Sequence, residues 1–323
     1  MVAAITRRDP GTVPSRDVTT NPERRTSASR RAFLGGGALA LGAAAAVSVG
    51  ACSAQDTPTV ETGEASLGAL RLVPAFPVGV PYVATGVTTR LPWQIAQGDG
   101  SLLDRIDGPV RFTVLRDGET VGAPIEVRAR TEGLTRAYLP LLTTFPDALT
   151  YEIVAEVEGA ELRSRLQAYD PAVVQTPQVG GRLPVVATPT VDNTLDVDPI
   201  CTLSPRCPYH ATSLDAAVQS GAPVAIIVGS DIYCADDECG PVLDLFVATA
   251  AAFPTVTTIH AEPYKNPTAV RTLSLAAPAP FTIEATVRAE PSTFFVDRTG
   301  TIVGRADSLV DGGELRELFD RIS

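Results

Sequence analysis

Aromatic residues make up only 6% of the 323-residue chain, with a single tryptophan, and histidine occurs twice. Positive charge is also short, with 26 Lys and Arg against 37 Asp and Glu. Residues 1–51 hold seven of the arginines and only the acids Asp9, Asp17 and Glu23. The remainder therefore carries 19 basic and 34 acidic side chains, a formal charge near −15. Such a balance argues against a nucleic-acid partner and against broad electrostatic attachment to anionic lipid. A phosphate-binding glycine loop is lacking, because Gly35, Gly36 and Gly37 fall in an N-terminal apolar run. Ser53, Ser204, His210 and the nearby acids form no recognisable hydrolase arrangement, and no cofactor or metal is expected. What is abundant is glycine (26) and proline (27), which points to strands, turns and linkers.

The N-terminus carries an address. Ser29, Arg30, Arg31, Ala32, Phe33 and Leu34 precede an uncharged Gly/Ala/Leu/Val run that ends at Ala51. Charged segment, apolar segment and small residues are the layout of an export signal. The paired arginines resemble the twin-arginine signal of bacteria, and Val49-Gly50-Ala51-Cys52 resembles a lipobox, with a plain membrane anchor or a cleaved signal peptide as the alternatives. The resemblance implies a signal over 1–51, lipid on Cys52, a tether over 52–68 and a lipid-anchored position on the extracytoplasmic face of the cell membrane. Each buried methylene of such a chain contributes about 0.8 kcal/mol, and more than one chain is needed for firm anchoring.

Export permits disulfides. With Cys52 lipidated, four cysteines remain: Cys201, Cys207, Cys234 and Cys239. Proximity pairs 201 with 207 as a structural staple and 234 with 239, although the sequence alone allows three connectivities.

Residues 69–170 read as the first domain. Short alternating segments at 109–115, 124–129 and 149–157 are separated by turn signals such as Asp117-Gly118 and Glu158-Gly159. Further strands are expected at 83–91, 93–96, 136–140 and 161–169. About seven strands at this spacing predict an all-β antiparallel sandwich. It resembles an immunoglobulin-like domain, although no Cys…Trp…Cys signature is present. Trp93 is expected in its core, and no catalytic constellation is found there.

The second domain, 183–323, follows a Pro/Gly linker. An edge strand is expected at 183–187 and a short helix over 214–219, capped by Ser213. The run Val224–Val228 is apolar without alternation, as a strand covered on both faces should be. It feeds a loop with Cys234 and Cys239, then a helix from Val242 to Ala251. A strand at 255–259, a Pro291-led strand to Asp297, a hairpin through Arg298–Gly300 and an amphipathic helix over 313–322 complete the order. That order resembles thioredoxin, so the fold class is multidomain: an all-β Ig-like sandwich followed by an α/β thioredoxin-like domain. In that family a cis-proline before the last hairpin faces the redox loop, and Glu290-Pro291-Ser292-Thr293 matches it. Glu238-Cys239-Gly240-Pro241-Val242 aligns with the redox motif, but Val242 replaces the resolving cysteine. Cys234 is the nearest substitute.

The resemblance implies a membrane-tethered thiol–disulfide oxidoreductase. Cys239 would attack, Cys234 would resolve and Pro291 would shape the site, with exported proteins or a membrane redox partner as substrates. The alternative is a non-catalytic binding or scaffold lipoprotein with two structural disulfides. The thiols with His210 or His260 also bear on metal. The four thiols plus His210 could form a metal site, but Cys-x5-Cys and Cys-x4-Cys are poor zinc spacings, and a copper site is expected, if anywhere, at Cys234 and Cys239 with His210 or His260. His210 is otherwise expected near a helix start, and His260 as a strand-end packing residue.

Overall fold

In the computed structural model, the described residues are 70–233, 239–269 and 276–323. All of them fall in one unit, Thr62–Ser323. The expectations for the export signal, the tether, Cys52 and Cys234 lie outside the described residues. Together the elements make a mixed α/β structure with several sheets and a few helices.

The first half contributes β1 (Arg71–Pro74), β2 (Val83–Ala84), β3 (Thr88–Ala96), β4 (Pro109–Arg116), β5 (Glu119–Thr120), β6 (Ile125–Arg128), β7 (Leu139–Thr144), β8 (Thr150–Val157) and β9 (Ala160–Tyr169). One sheet has the order β1-β3-β7. The other runs β2-β9-β8-β4-β5, with β6 also on β4. All of these pairings are antiparallel except β2 with β9, which is parallel. Alternation does the work expected of it: Val110, Phe112 and Val114 of β4 meet Leu91, Trp93 and Ile95 of β3 in one core. Asp117-Gly118 and Glu158-Gly159 both have φ near +51° and +83°, which is the backbone of a tight primed turn. β3 is a single strand where two were expected. The Pro92 carbonyl points toward β1 and accepts from Ala75 N at 3.0 Å, so the ladder to β7 loses no donor at this proline.

The second half contributes α1 (Leu214–Gln219), β10 (Val224–Val228), α2 (Cys239–Ala250), β11 (Thr257–Ala261), α3 (Pro280–Glu284), β12 (Ser292–Val296), β13 (Ile302–Asp307) and α4 (Gly312–Asp320). Its sheet has the order β11-β10-β12-β13. β10 is parallel to β11 and antiparallel to β12, and β12 is antiparallel to β13. β10 is buried throughout because both faces are covered. Ala225 and Ile227 meet Phe246 of α2 and Phe319 of α4. Val224, Ile226 and Val228 meet Leu214 of α1 and Phe281 of α3.

Residues 183–187 form no strand, contrary to expectation. Pairing stops at the single bridge Arg182–Thr301, and Pro184, lacking an N–H, cannot extend it. The strand expected at 255–259 lies two residues later, which places His260 inside β11 rather than beyond it.

The outer face of β3 carries Arg90 and Gln94, opposite the core face, and there the two halves meet. Arg90 Nε and Nη2 donate to Glu314 Oε1 and Oε2 at 2.6 and 2.7 Å, with the two side chains only 7% and 9% exposed. Tyr138 Oη donates to Glu314 Oε2 at 2.6 Å. Burial alone would raise the Glu314 carboxyl, but the Arg90 charge and these hydrogen bonds overcome it and hold it below its usual value. Nearby, Arg305 lies over the Tyr82 ring at 4.7 Å, and both bind Asp307.

Candidate functional site

Two groups of chemistry-bearing residues flank the C-terminal end of β10. The first surrounds Cys239. Its helix begins at the cysteine itself, three residues earlier than the apolar periodicity predicts, so Cys239 sits in the first turn of α2, where free backbone N–H groups favour a thiolate. Cys239 is disulfide-bonded, and its partner lies outside the described residues. It is 7% exposed. Its Sγ is 3.8 Å from the carbonyl oxygen of Glu290. The bond from Glu290 to Pro291 is cis. Ser308 N donates to Pro291 O at 2.7 Å, and Ser230 N donates to Glu290 Oε1 at 2.7 Å, so the proline is held from both sides.

Cys239 and Pro291 open onto a cleft of about 680 Å³. Leu72, Phe76 and Gln94 of the first half and Ser308 of the second also line it.

Two carboxyls lie behind this site. Burial raises Glu290, although the Tyr264 and Ser230 hydrogen bonds partly oppose it. Burial chiefly, and the charge of Glu290, push Glu262 up to about 8. Tyr264 Oη donates to Glu290, and Thr202 Oγ1 donates to Glu262 Oε2 at 3.1 Å.

The second group overturns an expectation. Cys201 and Cys207 are both buried free thiols, not the expected staple. Their sulfurs are 3.9 Å apart, whereas a disulfide needs about 2.05 Å. Each sulfur instead has imidazole neighbours. His260 Nδ1 lies 3.6 Å from Cys201 Sγ and 3.4 Å from Cys207 Sγ. His210 Nε2 lies 3.2 Å from Cys207 Sγ. The hydrogen bond from Cys207, and then those from the histidines, outweigh burial and pull the Cys201 thiol far down, while the same shared bond and burial drive Cys207 up. A close Cys201–Cys207 pair beside two histidines suits redox or metal chemistry. His260 is buried near the end of β11, as expected of a strand-end packing residue, and both it and His210 also face the thiols.

The spacing argument set this group aside because Cys-x5-Cys is a poor zinc spacing. Cys207 and His210 stand three residues apart, a spacing that offered a signal. His260 arrives from β11, about fifty residues on, and only the fold brings it in.

No family model and no curated protein matches the chain. Among solved structures, a match to "ZirS C-terminal Domain" has 13% identity and a TM-score of 0.21, and covers 39% of this chain and 86% of that one. Likeness at that level carries no argument about fold or function. Among the described residues, no helix is long and apolar enough to cross a membrane.

Proposed function

We propose that this protein is a membrane-tethered, extracytoplasmic thiol–disulfide oxidoreductase, with an Ig-like sandwich preceding a thioredoxin-like domain. The observation that carries the reading is the placement of the disulfide-bonded Cys239 in the first turn of a helix, 3.8 Å from the carbonyl that precedes a cis-proline, at the edge of an apolar cleft. The strand order β11-β10-β12-β13, with its parallel first pair, supports the thioredoxin-like part. The two sheets β1-β3-β7 and β2-β9-β8-β4-β5 around one core support the Ig-like part. Lipid on Cys52 and twin-arginine export belong to the same reading and rest on the sequence motifs.

In this mechanism Cys234 is the partner of Cys239. With the pair reduced, the Cys239 thiolate attacks one sulfur of a substrate disulfide. A mixed disulfide forms and the other substrate sulfur leaves as a thiolate. Cys234 then attacks Cys239 Sγ, closing the 234–239 disulfide and releasing the second substrate thiolate, so two electrons pass to the substrate. With the pair oxidised, the same steps run backward and a substrate dithiol is oxidised. The cleft orients the substrate chain, and Pro291 walls the sulfur in.

The test is trapping. In the Cys234→Ser protein, mixed disulfides through Cys239 should accumulate on exported proteins and vanish when Cys239 is also replaced. A wild-type pair with a reduction potential of about −120 to −270 mV supports the enzyme. A pair that resists reductant, with no adducts from either variant, would leave the non-catalytic binding lipoprotein instead.

A further inference from the structure

We infer that Cys201, Cys207, His210 and His260 form a four-coordinate zinc(II) site, separate from the Cys239 disulfide. All four side chains are buried, and one ligand atom from each lies within 4.8 Å of the others. Tetrahedral zinc has Zn–S near 2.3 Å and Zn–N near 2.0–2.1 Å, which places sulfurs about 3.8 Å apart and sulfur from nitrogen about 3.5 Å. Of the six separations, one is 3.9 Å between sulfurs and three are 3.6, 3.4 and 3.2 Å from sulfur to nitrogen, and the other two lie within 4.8 Å. They surround an ion-sized centre and are too wide for a disulfide.

Donor chemistry agrees. His260 Nε2 is 2.9 Å from Gly229 O. A carbonyl only accepts, so Nε2 carries the proton and Nδ1 presents a lone pair to both sulfurs. This is how an outer carbonyl usually fixes the tautomer of a zinc-bound histidine. On His210, Nε2 faces Cys207 Sγ, while Nδ1 is buried and has no hydrogen-bond partner among the described residues. With the proton on Nδ1, Nε2 becomes a ligand. Two thiolates and two neutral imidazoles cancel the charge of Zn²⁺, which suits a buried site. Binding forms two Zn–S and two Zn–N bonds, and any thiol protons leave to solvent.

The position gives the ion a task. Residues 188–211 run without helix or strand, a length at which a loop is tied down or functional. His260 belongs to β11, and His260 N donates to Tyr209 O at 2.9 Å. The ion would clip this loop to the sheet. Gly229, which orients His260, also backs the cis-proline: a Cβ added there would lie 3.2 Å from Pro291 Cβ.

The full chain, reduced and then freed of metal, is titrated with zinc(II) against a chromophoric chelator and separately with cobalt(II). One zinc per chain, the intense visible bands of tetrahedral cobalt–thiolate, and protection of two thiols from alkylation are the expected results. The Cys234→Ser/Cys239→Ser protein should bind zinc as the wild type does. Cys207→Ser should lose more than about 100-fold in affinity, beyond the 10–100-fold that losing an outer-shell partner costs. Should that variant misfold, the wild-type cobalt spectrum and thiol protection still decide. The assignment is overturned if the reduced, folded wild type binds no zinc, if it takes copper(I) but neither zinc nor cobalt, or if the double variant loses the ion.

Discussion

Arg90→Met should be among the most damaging single changes outside the two cores. The guanidinium makes two parallel hydrogen bonds to Glu314, and the side chains are 7% and 9% exposed, so solvent screens the pair little. An exposed pair is worth about 0–1 kcal/mol. Breaking a buried one strands a charge and costs about 3–5 kcal/mol. The stranded group here is Glu314, left with the Tyr138 hydroxyl and the more distant Arg130. For a domain of this size the loss corresponds to a melting temperature lower by roughly 6–20 °C. Glu314→Gln should cost a similar amount by stranding Arg90. The double replacement Arg90→Met/Glu314→Leu removes both charges and should return to within about 2 kcal/mol of wild type, so the pair's coupling by these bounds is at least about 4 kcal/mol. Urea unfolding of the four proteins, with m-values checked for constancy, measures the cycle. A loss below 1 kcal/mol for Arg90→Met, or simple additivity in the double variant, would refute the claim that this ion pair joins the two halves from a buried position.

The same interface gives a pH signature. Because Glu314 is held below its usual value when folded, it stabilises the protein above the ordinary carboxylate range, and that stability is lost as pH falls through the lower folded value. Melting curves of Glu314→Gln should therefore be flatter between pH 5 and pH 3 than those of wild type, the pH values being rough bounds. Gly304→Ala would bring a Cβ to 2.7 Å from Leu318 Cδ2 under α4, and overpacking there should cost about 1–3 kcal/mol by chemical denaturation. Trp93 is fully buried, yet its Nε1 has no hydrogen-bond partner among the described residues. Trp93→Phe should therefore stay within about 1.5 kcal/mol of wild type, while Trp93→Ala loses about 3–5. Phe319→Ala, which removes a ring packed against Phe246, Phe253 and Phe295, should also cost about 3–5 kcal/mol in the same assay.

Local periodicity carried far. The alternation of Val110, Phe112 and Val114, the unbroken apolar run Val224–Val228 and the Asp117-Gly118 turn were legible because each depends on residues a few positions apart. The position of Cys239 beside a helix start was legible for the same reason, and the Glu290–Pro291 bond is the isomer that the family resemblance implies. What the residues alone could not decide is which distant groups meet. Cys201 and Cys207 stand six apart and invite a disulfide. Two imidazoles, one of them from β11, stand beside their sulfurs instead. Arg90 lies on the face of β3 opposite its core, and the second half covers that face and supplies Glu314, 224 residues later. Pairing within a strand, turn or helix is set by short-range sterics and hydrophobic period. The chemistry of thiols, imidazoles and buried charges is set by neighbours that only the closed fold selects.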